Sequence, residues 1–185
     1  MIDAILDDVR LKYIDRPDRF NHILGVAKLS VSLAVRYGVD SKKAYIAAIY
    51  HDYTKYDSIE EQTKYLSDEM ILKYKDQTVI YHALSAAEVL RIKHHIEDPL
   101  ILNAIQCHVW GKENMTLLDK ILLVADKTEE TRTYEGVDDL RVLSQTSLNQ
   151  TIVAYLKLLK VLDKEQNYPE NNYLDIVIKD LEGKK

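Results

Sequence analysis

The sequence predicts an all-α protein. Its 185 residues include only five glycines and three prolines, so the closely spaced turns of a β-sandwich or barrel are missing. Apolar residues recur at helical spacing in several segments, and most of these segments follow a residue that caps helices well. Hydrophobic residues make up 46% of the chain and charged residues 30%, which is the balance of a folded globular protein.

Five predicted helices cover the first two thirds of the chain. The first begins at the cap Asn21, presents His22 on its apolar face, and ends before Gly38. The next four each follow a capping residue or a helix-starting dipeptide, namely Asp40-Ser41, Thr78, Asp98-Pro99 and Thr116.

The last third predicts two more helices. A long amphipathic run extends from Ser147 to Leu162, and a final helix is expected around Tyr173 to Leu181. The polar segment between them, from Asp163 to Asn172, is predicted to be a loop, and loops of this kind often cover a functional site. No repeat or linker divides the chain, so we expect one domain over 1–185, with a core at about 19–130 and C-terminal helices and a site-covering loop within 136–185.

Charge and cysteine content narrow the function classes. Lys and Arg total 25 against 30 Asp and Glu, and a net charge of -5 argues against a nucleic-acid polymer as partner. The single cysteine, Cys107, excludes an internal disulfide and a thiolate zinc cluster and fits a reducing compartment. Acidic residues occupy the start of the chain and no apolar run approaches a bilayer span, so we expect a cytoplasmic protein without a membrane partner. A homodimer is left open.

Ionisable residues continue the apolar stripes of five predicted helices. They are His22, His51, His82, His108 and Asp126. A buried ionisable group must be paired or bind a metal. For one histidine alone, a core imidazole bonded to a carbonyl is the simpler interpretation, but five inward polar groups favour a site. The pair His51-Asp52 is the sharpest feature, because adjacent side chains on a helix lie about 100° apart and can both hold one ion.

Several sequence blocks carry a family resemblance. They read NHILGVA at 21–27, HDYTK at 51–55, ADKTE at 125–129 followed by Arg132, and GVDDLR at 136–141. In this order they resemble the HD superfamily of metal-dependent phosphohydrolases. Within it they are most similar to the YqeK family, the symmetrical bis(5'-nucleosyl)-tetraphosphatases.

The resemblance implies an activity and a metal. Its implied metal ligands are His22, His51, Asp52 and Asp126, with His82 and His108 contacting phosphate or a second metal. The implied reaction cleaves diadenosine tetraphosphate into two molecules of ADP. Iron is the expected metal, manganese and cobalt are the alternatives, and no organic cofactor is expected.

The resemblance and the charge of the substrate together suggest further site residues. Asp52, His51 and Lys55 are the candidate catalytic residues, and Arg19, Lys55 and Arg132 are candidate phosphate contacts. Asn172 and Tyr173 partly match a segment that resembles the family's nucleotide contacts.

Other functions stay open at this stage. The alternatives are another HD-type nucleotide phosphohydrolase, a nucleotide-binding sensor without turnover, and a purely structural helical protein, which the inward polar groups make the least favoured. Cys107 lies on an apolar helix face and is expected to be inert. His94 and His95 are expected at a solvated helix end.

Overall fold

A computed structural model describes residues 2–183, and every regular element in that range is helical. The α-helices are α1 (Ile2–Lys12), α2 (Pro17–Tyr37), α3 (Ser41–Tyr50), α4 (Ile59–Thr63), α5 (Asp68–Lys73), α6 (Tyr81–His94), α7 (Pro99–Cys107), α8 (Leu117–Thr128), α9 (Val137–Ser144), α10 (Leu148–Glu165) and α11 (Tyr173–Glu182). A short 3₁₀ helix, Thr78–Ile80, leads into α6. The predicted all-α class is confirmed. No helix between residues 2 and 183 combines the length and hydropathy that a membrane crossing requires.

Four predicted helix starts are confirmed by their caps. The side chains of Asp40, Asp98 and Ser147 accept hydrogen bonds from main-chain N–H groups in the first turn of α3, α7 and α10. At α8, Thr116 and Asp119 form a capping box in which each side chain accepts from the other residue's N–H. These bonds satisfy donors that the helix itself leaves free.

Some predicted boundaries were wrong. Helix α2 begins at Pro17 and not after Asn21, because proline fits the first turn, where its missing N–H costs nothing. His51 and His108 lie directly after α3 and α7 and not within them. Helix α10 extends past Leu162, so the loop before α11 is shorter than predicted. Four helices were not predicted at all, and these are α1, α4, α5 and α9.

The helices pack so that one group of them surrounds the site. α3 and α8 contact each other, both pack against α2 and α7, and α6 packs against α3 and α7. Their shared core contains fully buried apolar side chains, including Ile23, Ile49, Ile105 and Leu122. On the other side of α8, α10 packs against α8, α9 and α11. The ends of α3, α6 and α7 therefore lie close to α2 and α8.

A polar cluster joins α1 to α6 beside this core. Asp8 accepts hydrogen bonds from Lys93 at 2.5 Å, from His94 at 2.8 Å and from Tyr53 at 3.0 Å. Burial raises the pKa of Asp8, but these bonds outweigh it, so the pKa lies below its ordinary value. The prediction that His94 lies at a solvated helix end was wrong, because its side chain is only 12% exposed and is paired with Asp8.

We expect Asp8→Asn to destabilise the protein by about 1 to 3 kcal/mol at neutral pH, because it removes the charged acceptor of several hydrogen bonds. In the folded protein the pKa of Asp8 lies below its ordinary value of 3.8. This contribution is therefore fully present above that value and is lost as the pH falls through the folded pKa. Urea unfolding at several pH values measures it. The control is Asp7→Asn, since Asp7 is 61% exposed. A difference between wild type and Asp8→Asn that did not shrink in acid would contradict this account.

Candidate metal centre

Four histidines and two aspartates converge where the surrounding helices meet. They are His22 in α2, His51 and Asp52 directly after α3, His82 in the first turn of α6, His108 directly after α7, and Asp126 in α8. Each of the six residues is at most 5% exposed. All the ligand candidates that the sequence predicted are therefore brought together in one buried cluster.

Main-chain carbonyls orient three of the histidines. The Nδ1 atoms of His51, His82 and His108 donate to the carbonyls of Ala48, Val79 and Ile105 at 2.6, 2.6 and 2.7 Å, in each case three residues earlier. A neutral imidazole carries one N–H, so a proton held on Nδ1 leaves Nε2 with a lone pair. The helical turn before each histidine thus aims Nε2 into the cluster.

A carboxylate orients the fourth histidine. His22 Nδ1 donates to Glu129 Oε1 at 2.9 Å, and the Glu129 side chain is fully buried. Thr131 donates to Glu129 through both its main-chain N–H and its hydroxyl group. Burial raises the pKa of Glu129, but the bonds from Thr131 and His22 outweigh burial and keep the pKa below its ordinary value. Glu129 is therefore a charged acceptor at neutral pH.

The inward-facing atoms form two overlapping sets. In the first, Asp126 Oδ1 lies 3.2 Å from His22 Nε2 and 3.7 Å from His51 Nε2, while Asp52 Oδ2 lies 3.4 Å from His51 Nε2. In the second, Asp52 Oδ1 lies 3.2 Å from His82 Nε2 and 3.5 Å from His108 Nε2. Asp52 belongs to both sets, one oxygen to each.

This donor set fits a divalent metal. His51 Nε2 and Asp52 Oδ1 are buried atoms without a hydrogen-bond partner. The Nε2 atoms of His82 and His108 are 3.3 Å apart, although both rings donate through Nδ1. Facing lone pairs at this distance repel unless a cation lies between them. Imidazole and carboxylate ligands without a thiolate suit iron, manganese, cobalt or zinc.

The electrostatics of the cluster also favour a cation. Burial raises the pKa values of Asp52 and Asp126, but neighbouring charges outweigh burial, so both pKa values lie well below their ordinary range. The largest such charge is His51 for Asp52 and Lys127 for Asp126. Burial lowers the pKa of His51, yet the two aspartates raise it to about 9. The field that favours a proton on His51 would also attract a metal ion. Burial lowers the pKa of His82. It also lowers the pKa of His108 to about 3, although the hydrogen bond to Asp52 acts in the opposite direction.

Four cationic side chains border the two aspartates. Arg19 lies 2.8 Å and Lys55 3.5 Å from Asp52, while Arg132 lies 2.7 Å and Lys127 2.6 Å from Asp126. The sequence predicted Arg19, Lys55 and Arg132 near the site, and each lies beside a cluster carboxylate. Lys55 reaches Asp52 from a turn, since α3 ends before His51.

Two residues of this site were not singled out from the sequence, although both lie in the ADKTE block. Lys127 is 14% exposed and its ammonium group lies over the Tyr155 ring. Glu129 is bonded to His22, from which it is 107 positions away in the chain. Their position close to Asp126 could have marked both residues as site candidates. Which side chains they contact is visible only in the fold.

The loop that carries Glu129 and Arg132 is held by Arg141, a residue of the GVDDLR block at 136–141. Its guanidinium donates to the carbonyls of Thr128, Glu129 and Arg132 at 2.7 to 2.9 Å. Arg141 lies in α9, which begins after Gly136 in the left-handed conformation at φ 85°. The GVDDLR segment thus fixes the chain that follows α8.

The predicted nucleotide contacts lie outside the cluster. Tyr173, at the start of α11, donates weakly to the carbonyl of Gly111 at 3.4 Å, and Asn172 precedes it as an exposed residue. Within residues 2–183, neither forms a hydrogen bond or ion pair with the six cluster residues. Cys107 is buried, and burial raises the pKa of its thiol, as expected for an inert cysteine.

Fold and site define a class, namely an all-helical protein whose buried histidine–aspartate centre can hold a divalent metal. The HD domain family matches residues 19–131 of this chain. The protein therefore belongs to the HD domain family of hydrolases.

Individual relatives agree with this assignment. The chain is 37% identical over 153 residues to a symmetrical bis(5'-nucleosyl)-tetraphosphatase of Bacillus subtilis, covering 82% of each chain. It is 40% identical over 142 residues to the protein of that name from Halalkalibacterium halodurans, covering 75% of each. A crystal structure of a predicted HD superfamily hydrolase involved in NAD metabolism from Clostridium acetobutylicum superposes with a TM-score of 0.89 at 28% identity, covering 100% of this chain and 98% of that one.

We expect His51→Ala and Asp52→Ala each to lose most of the bound metal, because each removes an inward-facing ligand atom from a buried set. Elemental analysis of the purified variants measures the occupancy. His95→Asn is the control, since His95 is exposed and asparagine tolerates its positive φ of 54°. Wild-type metal content in either cluster variant would refute the ligand assignment.

Proposed function

We propose that this chain is a metal-dependent hydrolase that cleaves diadenosine tetraphosphate symmetrically into two molecules of ADP. The observation that carries the proposal is a buried His–Asp centre bordered by four cations. Relatives named as symmetrical tetraphosphatases, at 34 to 40% identity and along most of their length, support this substrate.

We assign the metal ligands from the two overlapping sets. His22, His51, Asp52 and Asp126 would hold one ion. His82 and His108 would hold a second ion with Asp52, or would contact phosphate. Iron is the proposed metal and manganese or cobalt the alternatives, because the donors are imidazoles and carboxylates.

The chemistry requires a nucleophile and neutralisation of charge. A divalent metal supplies a Lewis acid for phosphoryl oxygens and lowers the pKa of bound water towards ~7. Water adds to one inner phosphorus atom, the oxygen that bridges the two inner phosphates leaves with the other half, and the proton of water passes to solvent. Where His82 and His108 contact phosphate and no second ion is held, Asp52 Oδ1, which lacks a donor, is placed to accept a hydrogen bond from the attacking water. His51 fixes the carboxylates around it.

The bordering cations provide the phosphate contacts. Arg19 and Lys55 lie on the Asp52 side of the cluster, and Arg132 lies on the Asp126 side with Lys127. Symmetrical cleavage places charge on an inner phosphate and on the departing diphosphate at once. Cations on two sides of the centre suit such a substrate, because each half of the bridge then has a partner. Lys55 is the proposed partner of the leaving group.

Tyr173 is the proposed nucleoside contact. Its ring lines a cavity of about 210 Å³ together with Tyr74 and Trp110. Trp110 lies two residues after His108, so this cavity begins close to the cluster along the chain. Aromatic rings offer a flat face to a purine base. Asn172 is exposed beside Tyr173 and is proposed as a contact to the sugar or base edge.

We expect Arg19→Ala and Lys55→Ala to reduce kcat/KM about 10- to 100-fold, since a lost charged contact to phosphate costs about 1.5 to 3 kcal/mol. Metal content should stay at the wild-type level, because the cations contact substrate and not the ion. Lys28→Ala is the matched control, as Lys28 is 74% exposed and pairs with Glu130, away from the cluster. Kinetics equal to wild type would show that Arg19 or Lys55 does not contact the substrate.

We expect diadenosine tetraphosphate to yield ADP as the sole initial nucleotide product. Chromatography of an early time point, before secondary breakdown, measures this directly. AMP together with ATP would place the attacked phosphorus near one end of the bridge and would disprove symmetrical cleavage. Tight ADP binding with no turnover of the dinucleotide would instead favour a nucleotide sensor.

A further inference from the structure

His22 differs from the other cluster histidines in what holds its ring. His51, His82 and His108 donate to neutral main-chain carbonyls, whereas His22 donates to the carboxylate of Glu129. An anionic acceptor pulls harder on the Nδ1 proton than a carbonyl does. The Nε2 lone pair of His22 is therefore the stronger electron-pair donor towards a metal.

Glu129 is held too firmly to be an incidental neighbour. Its side chain is fully buried, and Thr131 donates to Oε1 at 2.5 Å and to Oε2 at 2.7 Å. Arg141 fixes the main chain on both sides of it, through the carbonyls of Thr128 and Glu129. Both carboxylate oxygens thus have donors, and the orientation of Oε1 towards His22 is determined by the loop.

Gly25 provides the space for this contact. It lies one turn after His22 in α2, and a Cβ at Gly25 would come within 2.6 Å of Glu129 Oε2. Glycine is a poor residue for the interior of a 21-residue helix. The close approach of Glu129 gives a physical reason for glycine at this position.

We propose that Glu129 is a positioning residue of the metal centre, which holds the His22 proton on Nδ1 and strengthens Nε2 as a ligand. The glycine at position 25 leaves the room that Glu129 needs for this contact. The proposal rests on the metal centre of the proposed function and not on its substrate. A titration with metal alone therefore fails or succeeds independently of any nucleotide chemistry.

The test is the affinity for Mn²⁺, measured by calorimetric titration of metal-stripped protein. Glu129→Gln keeps the shape of the side chain but removes its charge, and we expect the Mn²⁺ dissociation constant to rise about 10- to 100-fold. Asp119→Asn is the matched control, because Asp119 is also a fully buried carboxylate in the same stretch of chain. It caps the start of α8 and does not contact a proposed metal ligand. It should lower the melting temperature without changing Mn²⁺ affinity. A dissociation constant within twofold of wild type in Glu129→Gln, or an equal loss in Asp119→Asn, would overturn the proposal.

A second variant tests the same contact from the other side. Gly25→Ala places a better helix former in α2, so helix propensity alone predicts an equally or more stable protein with normal Mn²⁺ binding. We expect weaker Mn²⁺ binding, since the new methyl group displaces Glu129 from His22. In the double variant with Glu129→Gln the two losses should not add, because both act through one contact. Unchanged Mn²⁺ affinity in Gly25→Ala would count against the proposal even if Glu129→Gln failed to fold.

The tautomer of His22 is an independent spectroscopic readout. In the metal-free wild type, ¹⁵N chemical shifts of the ring should show the Nδ1–H form at His22. In Glu129→Ala this preference should be lost at His22 and kept at His82 and His108, whose carbonyl partners are unaffected. An Nδ1–H preference at His22 that survived Glu129→Ala would show that Glu129 does not set it.

Discussion

The burial of two carboxylates within one small cluster is the constraint on which the structure depends. Asp52 and Asp126 are 1% and 3% exposed, and burying an isolated carboxylate costs far more than a protein of this size can supply. Their charge must therefore be balanced locally. The balance comes from cationic side chains, from the imidazole of His51 and, in the proposed function, from a divalent metal. The helices around the cluster are arranged so that these partners meet.

Helix ends solve the geometric part of this problem. A histidine at or just after the end of a helix can donate to the carbonyl three residues earlier, a group that the last turn leaves without an intrahelical partner. His51 and His108 use this arrangement, so a main-chain carbonyl holds Nδ1 of each ring. The packing of α3 and α7 then brings both Nε2 atoms to the cluster. His22 lies inside α2, where carbonyls are already occupied, so it needs a side-chain acceptor, and Glu129 supplies one.

Local signals predicted much of the fold, and long-range contacts explain what was not predicted. Caps such as Asp40, Asp98 and Thr116 bond to their own first turn, so their sequence context contains the whole interaction. Five of the six ligand candidates were found because a polar residue on an apolar stripe is visible in sequence, and Asp52 was found as the direct neighbour of His51. Glu129 directly follows the last residue of α8, and its partner is 107 residues away, so no local signal points to their contact. The missed helices α4 and α5 have five and six residues, too short for a period to show.

The cations beside the cluster can pair either with the aspartates or, in the proposed function, with the phosphates of a substrate. In the structure, Arg19 pairs with Asp52, and Lys127 and Arg132 pair with Asp126, so part of their charge is already balanced by carboxylates. A carboxylate that also ligates a metal has less negative charge left for a neighbouring guanidinium or ammonium group. In the proposed function, these side chains then lie beside the centre with unbalanced positive charge, which is the condition under which a polyphosphate binds. The same groups thus allow the aspartates to stay buried and ionised without a metal, and in the proposed function they would form the phosphate site once a metal has bound.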